Sequence, residues 1–175
     1  MVLFAFFLVS CSATPNIVQI TNTYPSEPGT QTPIPLADLD LESILIQPGD
    51  LPLGYSGGQV QDFLPGIFDD IPRPVHQIYQ QFEDKNGSVG GVSVIVYDSA
   101  APSIEAYDTL LLGMGGKGQA KAVESLGNQA HISGWNLLFL RCNTITYFRL
   151  VGMNYDEYMS YAQRLDERLS PLVCR

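Results

Sequence analysis

Alternating apolar and polar positions predict a first β-hairpin in the middle of the chain. Two β-prone runs, Val75–Glu83 and Val89–Tyr97, lie on either side of Asn86-Gly87. Three valines alternate along the second run, so they share one face of a strand. Asn and Gly both tolerate a positive φ, as a tight hairpin turn requires. The pattern therefore predicts two antiparallel strands joined at Asn86-Gly87.

The rest of the C-terminal half predicts a helix, a second pair of strands and a closing helix. Apolar residues at helical spacing run through Pro102–Leu112, and Pro is suited to a first helical turn. Two further β-prone runs, Trp135–Arg141 and Thr144–Val151, flank a short turn. Asn154 precedes an amphipathic stretch with Glu three residues later, a variant of the capping box.

This order of elements predicts an α+β domain over residues 39–175. Hairpins with helices between them favour an antiparallel sheet, here of about four to five strands, with the two main helices packed on one face. Residues 41–46 are expected to form a short ordered element, and residues 54–74, rich in Gly, Pro and Asp, mostly loop. The segment 120–126 is ambiguous.

The first residues are typical of an export signal. An apolar run of nine residues, Met1–Val9, is too short to span a bilayer, which needs about 20 residues. Leu8-Val9-Ser10-Cys11 resembles the lipobox of bacterial lipoproteins, although a basic segment before the apolar run is missing. The resemblance implies a signal peptide over residues 1–10, lipidation of Cys11, and anchoring to the extracytoplasmic face of a bacterial membrane. The alternative is an ordinary secretory signal with a chance Cys.

Residues 11–38 have the composition of a tether. They contain Pro and Thr repeatedly, no Lys or Arg, and few large apolar residues. A segment of this length holds a domain clear of a membrane surface. Because it carries no basic residues, attachment to the membrane would depend on the lipid.

The cysteine count predicts a disulfide. If Cys11 is lipidated, Cys142 and Cys174 remain, and an exported chain meets an oxidising compartment. A metal site is the weaker alternative, since two Cys without a nearby His lack the usual ligand spacing.

Composition and charge exclude some functional classes. The chain is 45% hydrophobic, too high for wholesale disorder, and its net charge of −9 argues against a partner that is nucleic acid. The charge is also uneven, with −8 in residues 1–72 and −1 in residues 73–175. The acidity therefore belongs to the tether and the loop-rich entry segment, and we expect any recognition surface on the near-neutral remainder.

Two glycine motifs match catalytic or cofactor patterns without the required context. Gly54–Gly58 fits the G-x-S-x-G of serine hydrolases, with Ser56 as the nucleophile, but no buried strand and helix flank it. Gly113–Gly118 fits the dinucleotide pattern G-x-G-x-x-G, but it follows a predicted helix instead of a strand. The interpretations we favour are a glycine turn and a helix end followed by a loop. No cofactor is expected.

The histidines are weak candidates for catalysis. His76 and His131 are isolated in sequence, and neither has a metal-ligating residue at a useful spacing. Ser56, His76 and His131 are therefore low-ranked candidates; no catalytic residue and no metal ligand is assigned. Trp135 is expected in the core or at its rim.

The domain resembles the small α+β modules of many bacterial lipoproteins. The resemblance is carried by the following segments: Gln47–Pro52, Leu126–Ala130, Trp135–Val151 with its Cys142-Asn143 turn, and Arg164–Leu169. In element order these modules are similar to sensor-like or PsbP/Mog1-like domains. The resemblance implies a non-enzymatic domain that binds an envelope protein or a small ligand. The alternative is an extracytoplasmic hydrolase using Ser56 or a His/acid pair.

Overall fold

A computed structural model describes residues 39–47, 49–61, 70–149 and 152–174. The predicted signal peptide, Cys11 and the tether lie outside these residues.

The described residues form an antiparallel sheet of seven strands with α-helices packed against it. The spatial order is β1-β2-β3-β7-β6-β5-β4. The strands are β1 Tyr55–Gln61, β2 His76–Asp84, β3 Val89–Val96, β4 Lys121–Ala122, β5 Gln129–Ser133, β6 Asn136–Arg141 and β7 Thr144–Arg149. The helices are α1 Ala100–Gly113 and α2 Tyr155–Val173, and a 3₁₀ helix spans Glu42–Ile44.

The α+β class, both hairpins and both predicted helices are confirmed, but the expected four to five strands are too few. β1 lies within the segment predicted as loop, β4 lies within the ambiguous segment 120–126, and β5 lies in residues for which no strand was predicted. β1 reads Tyr-Ser-Gly-Gly-Gln-Val-Gln and buries little, so it has no apolar alternation to detect. These strands form by pairing to strong neighbours, since β1 pairs with β2 and β4 pairs with β5.

The expectation that both helices pack on one face is wrong. One buried cluster joins α2 to β-strand residues such as Val94 and Phe139. A second cluster joins α1 to Ile95 and Leu138, which directly neighbour those residues along their strands. Because successive side chains of a strand point to opposite faces, α1 and α2 cover opposite faces of the sheet. The central strands are apolar on both faces, and such strands need cover on both.

The face covered by α2, here the α2 face, contains the larger core. Tyr161 of α2 is fully buried and meets the ring of Phe148 edge-on at 5.4 Å between centroids. The helix begins with the predicted capping box. The backbone N–H of Glu157 donates to Asn154 Oδ1 at 3.0 Å, and the N–H of Asn154 donates to Glu157 Oε2 at 3.1 Å.

A buried carboxylate fastens the entry segment to α2. Asp50 is 5% exposed and accepts from Arg168 Nη2 at 2.7 Å and from Arg164 Nε at 3.2 Å. Arg168 also donates to the carbonyls of Ile44 and Leu45. Burial alone would raise the pKa of Asp50, but the Arg168 hydrogen bond, the Gln47 N–H and both arginine charges outweigh it and lower the pKa. We call Asp50, Arg164 and Arg168 the Asp50 clamp.

The same C-terminal half of α2 is also fastened to the β6–β7 turn. Asp166 accepts from Arg141 Nε at 2.8 Å and from the N–H of Gly127 at 3.0 Å. The structure joins Cys142 to Cys174 by a disulfide, with 5.6 Å between the Cα atoms. This is the pairing that the cysteine count predicts.

Candidate functional site

The structure does not bring Ser56 and His131 together. Ser56 is exposed on β1, and His131 lies on β5, with β2, β3, β7 and β6 between them. At about 4.8 Å per strand spacing, their strands are roughly 24 Å apart. Gly54, with φ of 93°, forms a turn that leads into β1, so the Gly54–Gly58 motif forms a turn and edge strand without the helix of a nucleophile elbow.

The histidines lie on different strands and have different surroundings. His76 is half-buried at the start of β2. His131 Nδ1 lies 2.7 Å from the Tyr107 hydroxyl, a hydrogen bond between β5 and α1. Desolvation and the charge of Lys117 lower the pKa of His131, against an opposite effect of Asp108. An imidazole whose Nδ1 already bonds a tyrosine is a structural link between helix and sheet.

The second glycine motif closes α1. The helix ends at Gly113, and the N–H of Gly116 donates to the Leu111 carbonyl at 2.8 Å. A helix precedes these glycines where a dinucleotide site has a strand. The structure thus has the helix end and loop that we favoured for residues 113–118.

An open cleft of about 410 Å³ lies at the β5–β6 turn, next to the end of β7. Its lining residues are Ser133, Gly134, Trp135, Asn136, Tyr147 and Arg149, and we call it the Trp135 cleft. Ser133 pairs with Asn136, so Gly134-Trp135 forms the turn, and Gly134 has the positive φ of 56° that suits glycine. The turn leaves Trp135 66% exposed, where core or rim burial was expected.

Strand register places the polar members of the cleft on the face covered by α1, here the α1 face. Asn136 pairs with Arg149, which pairs with Gly91. In the neighbouring cross-strand row, Tyr147 pairs with Ser93, which pairs with Tyr79. α1 covers this face at Ile95, Leu138, Leu140 and Ile145. The Trp135 cleft lies further along the same face.

A glycine in β3 brings a second tyrosine close to Arg149. The ring of Tyr79 lies across Gly91 where a Cβ would otherwise stand. Burial raises the pKa values of Tyr79 and Tyr147, and for both the Arg149 charge acts in the opposite direction. The guanidinium is therefore within electrostatic range of both hydroxyls.

The hydrogen bonds of the cleft leave its donors available. The Tyr147 hydroxyl donates to Asn136 Oδ1 at 2.8 Å, which orients the amide. Within the described part of the chain, neither Asn136 Nδ2 nor the Arg149 guanidinium has an acceptor. Of the described lining residues, Arg149 is the sole charged one, so the cleft carries positive charge.

In two other clefts among the described residues, several polar groups bond within the protein. A cleft of about 380 Å³ beside the start of α2 is lined by Asp50 and Arg164, which are paired in the Asp50 clamp. Another of about 280 Å³ contains Gln80, whose amide bonds Ile46 N–H and the Gly58 carbonyl. Among these three clefts of the described residues, only the Trp135 cleft has a guanidinium without a carboxylate partner.

Sequence reasoning did not select this site, although one signal was present. Tyr147 and Arg149 alternate with apolar residues along β7, which places a charge on a sheet face. The exposure of Trp135 follows from its place in the β5–β6 turn, and β5 was not predicted from the sequence.

No family model, curated protein or solved structure matches the chain.

Across the described residues, no helix has the length and apolarity needed to cross a membrane. The same residues contain no group of three or more His, Cys, Asp or Glu that could hold a metal ion.

Proposed function

We propose that this chain is a lipid-anchored extracytoplasmic protein whose folded part binds a small ligand or a partner, without catalysis, at the Trp135 cleft. The observation that carries the binding role is the combination of an exposed tryptophan with donors of Asn136 and Arg149 that have no acceptor among the described residues. Ligand sites typically combine an apolar contact surface with a few convergent polar groups.

The cleft favours binding over catalysis because it lacks an activated nucleophile. Its hydroxyl groups belong to Ser133 and Tyr147. His131 is two residues from Ser133 on the same strand, and no hydrogen bond joins their side chains among the described residues. Its Nδ1 is also engaged by Tyr107.

The anchor is supported by the lipobox-like Leu8-Val9-Ser10-Cys11 and by the linker composition that follows it. We expect Cys11→Ala to move the full chain from the membrane fraction to the soluble fraction of a bacterial host. Ser12→Ala, adjacent to the lipobox, is the matched control and should leave partitioning unchanged. Equal membrane partitioning of all three chains would contradict the anchor.

Binding at the cleft is tested by comparing Trp135→Ala with Leu53→Ala. Leu53 is a fully exposed apolar residue outside the Trp135 cleft lining, so its variant controls for loss of exposed apolar surface. The immobilised full-length chains are incubated with the low-molecular-weight and the detergent-solubilised fractions of an envelope extract. We expect native protein and L53A to retain material that W135A loses. Identical retention by all three would overturn the assignment of the site.

A further inference from the structure

The polar groups of the Trp135 cleft define the chemistry of its ligand. Asn136 Nδ2, the Ser133 hydroxyl and the Arg149 guanidinium all donate hydrogen bonds, and Asn136 Oδ1 already accepts one from Tyr147. A ligand that fits this set is rich in acceptors.

Arg149 adds a requirement for negative charge. Arg141, Arg164 and Arg168 are each paired with a buried aspartate on the α2 face, whereas Arg149 has no carboxylate partner in the described part of the chain. A guanidinium with free forked donors matches a carboxylate in a two-bond geometry. The net charge of −9 does not oppose this, because residues 1–72 account for −8 of it.

Trp135 adds a flat apolar surface beside these donors. At 66% exposure its ring can contact the face of a ligand ring. A purely aromatic carboxylate would satisfy Trp135 and Arg149 but would offer nothing to Asn136 and Ser133. A sugar ring has an apolar C–H face for the indole and hydroxyl oxygens as acceptors for the amide and the serine.

We propose that the Trp135 cleft binds a sugar acid, with its ring on Trp135, its carboxylate on Arg149 and its hydroxyls on Asn136 and Ser133. This proposal rests on the proposed function, because it names the ligand class of the same site.

The single tryptophan of the chain makes the test specific to the site. Emission of Trp135 in the full chain is followed during titration with glucuronate, galacturonate and N-acetylneuraminate. Glucose, galactose and the methyl ester of N-acetylneuraminate are the respective neutral counterparts, and benzoate is a carboxylate with a ring but no hydroxyls. We expect a saturable change with at least one sugar acid and about tenfold weaker binding of its neutral counterpart, as the loss of a charge-assisted bidentate pair predicts.

Arg149→Gln separates charge recognition from simple stacking. This variant keeps Trp135 as reporter and should bind the acid and neutral sugars equally, whereas Lys85→Gln, which removes an exposed cation outside the cleft lining, should keep the preference. Equal binding of acid and neutral sugars by the native chain would overturn the sugar-acid class, and so would binding of benzoate as tight as that of the sugar acids. Absence of a saturable change with any of the three sugar acids would also overturn it. The proposed function fails separately, through the W135A retention experiment.

Quenching of the same fluorophore tests the positive charge without any ligand. At low ionic strength, the ratio of the iodide to the caesium quenching constant should be higher in the native chain than in Arg149→Gln, because the Arg149 guanidinium attracts the anion and repels the cation. Comparing the two chains removes the intrinsic difference between the two quenchers. An equal ratio in the two chains would contradict a cationic cleft.

Discussion

The two faces of the sheet use the same residue types for different purposes. On the α2 face, Arg164 and Arg168 are committed to Asp50, and Arg141 is committed to Asp166. On the α1 face, Arg149 lies in an open cleft beside an exposed tryptophan. Charged groups thus cross-link the chain on one face and are available to a ligand on the other.

Packing follows the same division. Among the described residues, the buried cluster on the α2 face contains about twice as many apolar residues as the cluster on the α1 face. α1 leaves part of its face uncovered near the ends of β6 and β7, where the Trp135 cleft lies. The α2 face thus carries most of the cross-links and buried apolar residues, and the proposed recognition site lies on the α1 face; the predictions below test this division.

The disulfide should have the largest effect on stability. It joins residues 32 positions apart, and closing such a loop stabilises by about 3.5 kcal/mol in the chain-entropy model. Replacing Cys142 and Cys174 together by Ala should lower the free energy of unfolding by this amount, measured in the full chain by urea denaturation and circular dichroism. Reduction of the native protein by dithiothreitol should have the same effect, and a loss below about 1 kcal/mol would contradict the bond.

Breaking the Asp50 clamp should have the second largest effect. Asp50→Asn removes the carboxylate and leaves both arginines without their counter-ion. Removing one partner of a buried pair costs about 3–5 kcal/mol, but the side chains of Arg164 and Arg168 are 40% and 27% exposed, so we expect about 2–3 kcal/mol. Urea denaturation measures the change.

The control for the clamp is Glu167→Gln, which removes an exposed carboxylate from the same helix. It should change stability by less than about 0.5 kcal/mol. Similar losses for the two variants would mean that Asp50 acts only through net charge.

The Asp50 clamp should also make stability depend on pH. The pKa of Asp50 is lowered in the folded protein, so its contribution to the free energy of unfolding is present above about pH 3.8 and is lost as the pH falls through its folded pKa.

The sequence predicts elements that carry their own periodicity and misses those that depend on neighbours. The β-prone runs of β2, β3, β6 and β7 and the capping box of α2 were sufficient to locate them. β1 is polar and glycine-rich, so only its pairing with β2 identifies it as a strand. The assignment of α1 and α2 to opposite faces required the three-dimensional register.

The segments that carry the family resemblance prove to contact one another. Asp50 of Gln47–Pro52 binds arginines of Arg164–Leu169, over 114 positions in the case of Arg164. Asp166 of the same segment accepts from Gly127 of Leu126–Ala130. Sequence alone indicated that these segments were distinctive, but contacts between distant residues were needed to show that they are cross-links of the α2 face.

Substitutions in the Trp135 cleft should leave stability almost unchanged. Trp135 is largely exposed, and Arg149 is an exposed residue at the end of β7. We expect Trp135→Ala and Arg149→Gln to shift the free energy of unfolding by less than about 0.5 kcal/mol, as for other surface substitutions. A loss above about 1.5 kcal/mol, measured by the same urea denaturation, would place these residues in the scaffold and remove the contrast between the faces.

The smallest expected effect is a pH dependence at the link between α1 and β5. Desolvation, followed by the charge of Lys117, lowers the pKa of His131 below its usual 6.5, while Asp108 opposes the shift. As the pH falls through about 6.5, the unfolded chain therefore takes up a proton before the folded chain does, and stability decreases. His131→Gln should reduce this slope in urea denaturation between about pH 7 and 5, whereas His76→Gln, at a position that does not bond Tyr107, should retain it. An unchanged slope in His131→Gln would show that the hydrogen bond to Tyr107 does not disfavour the protonated imidazole. Apolar packing alone would then hold the α1 face together.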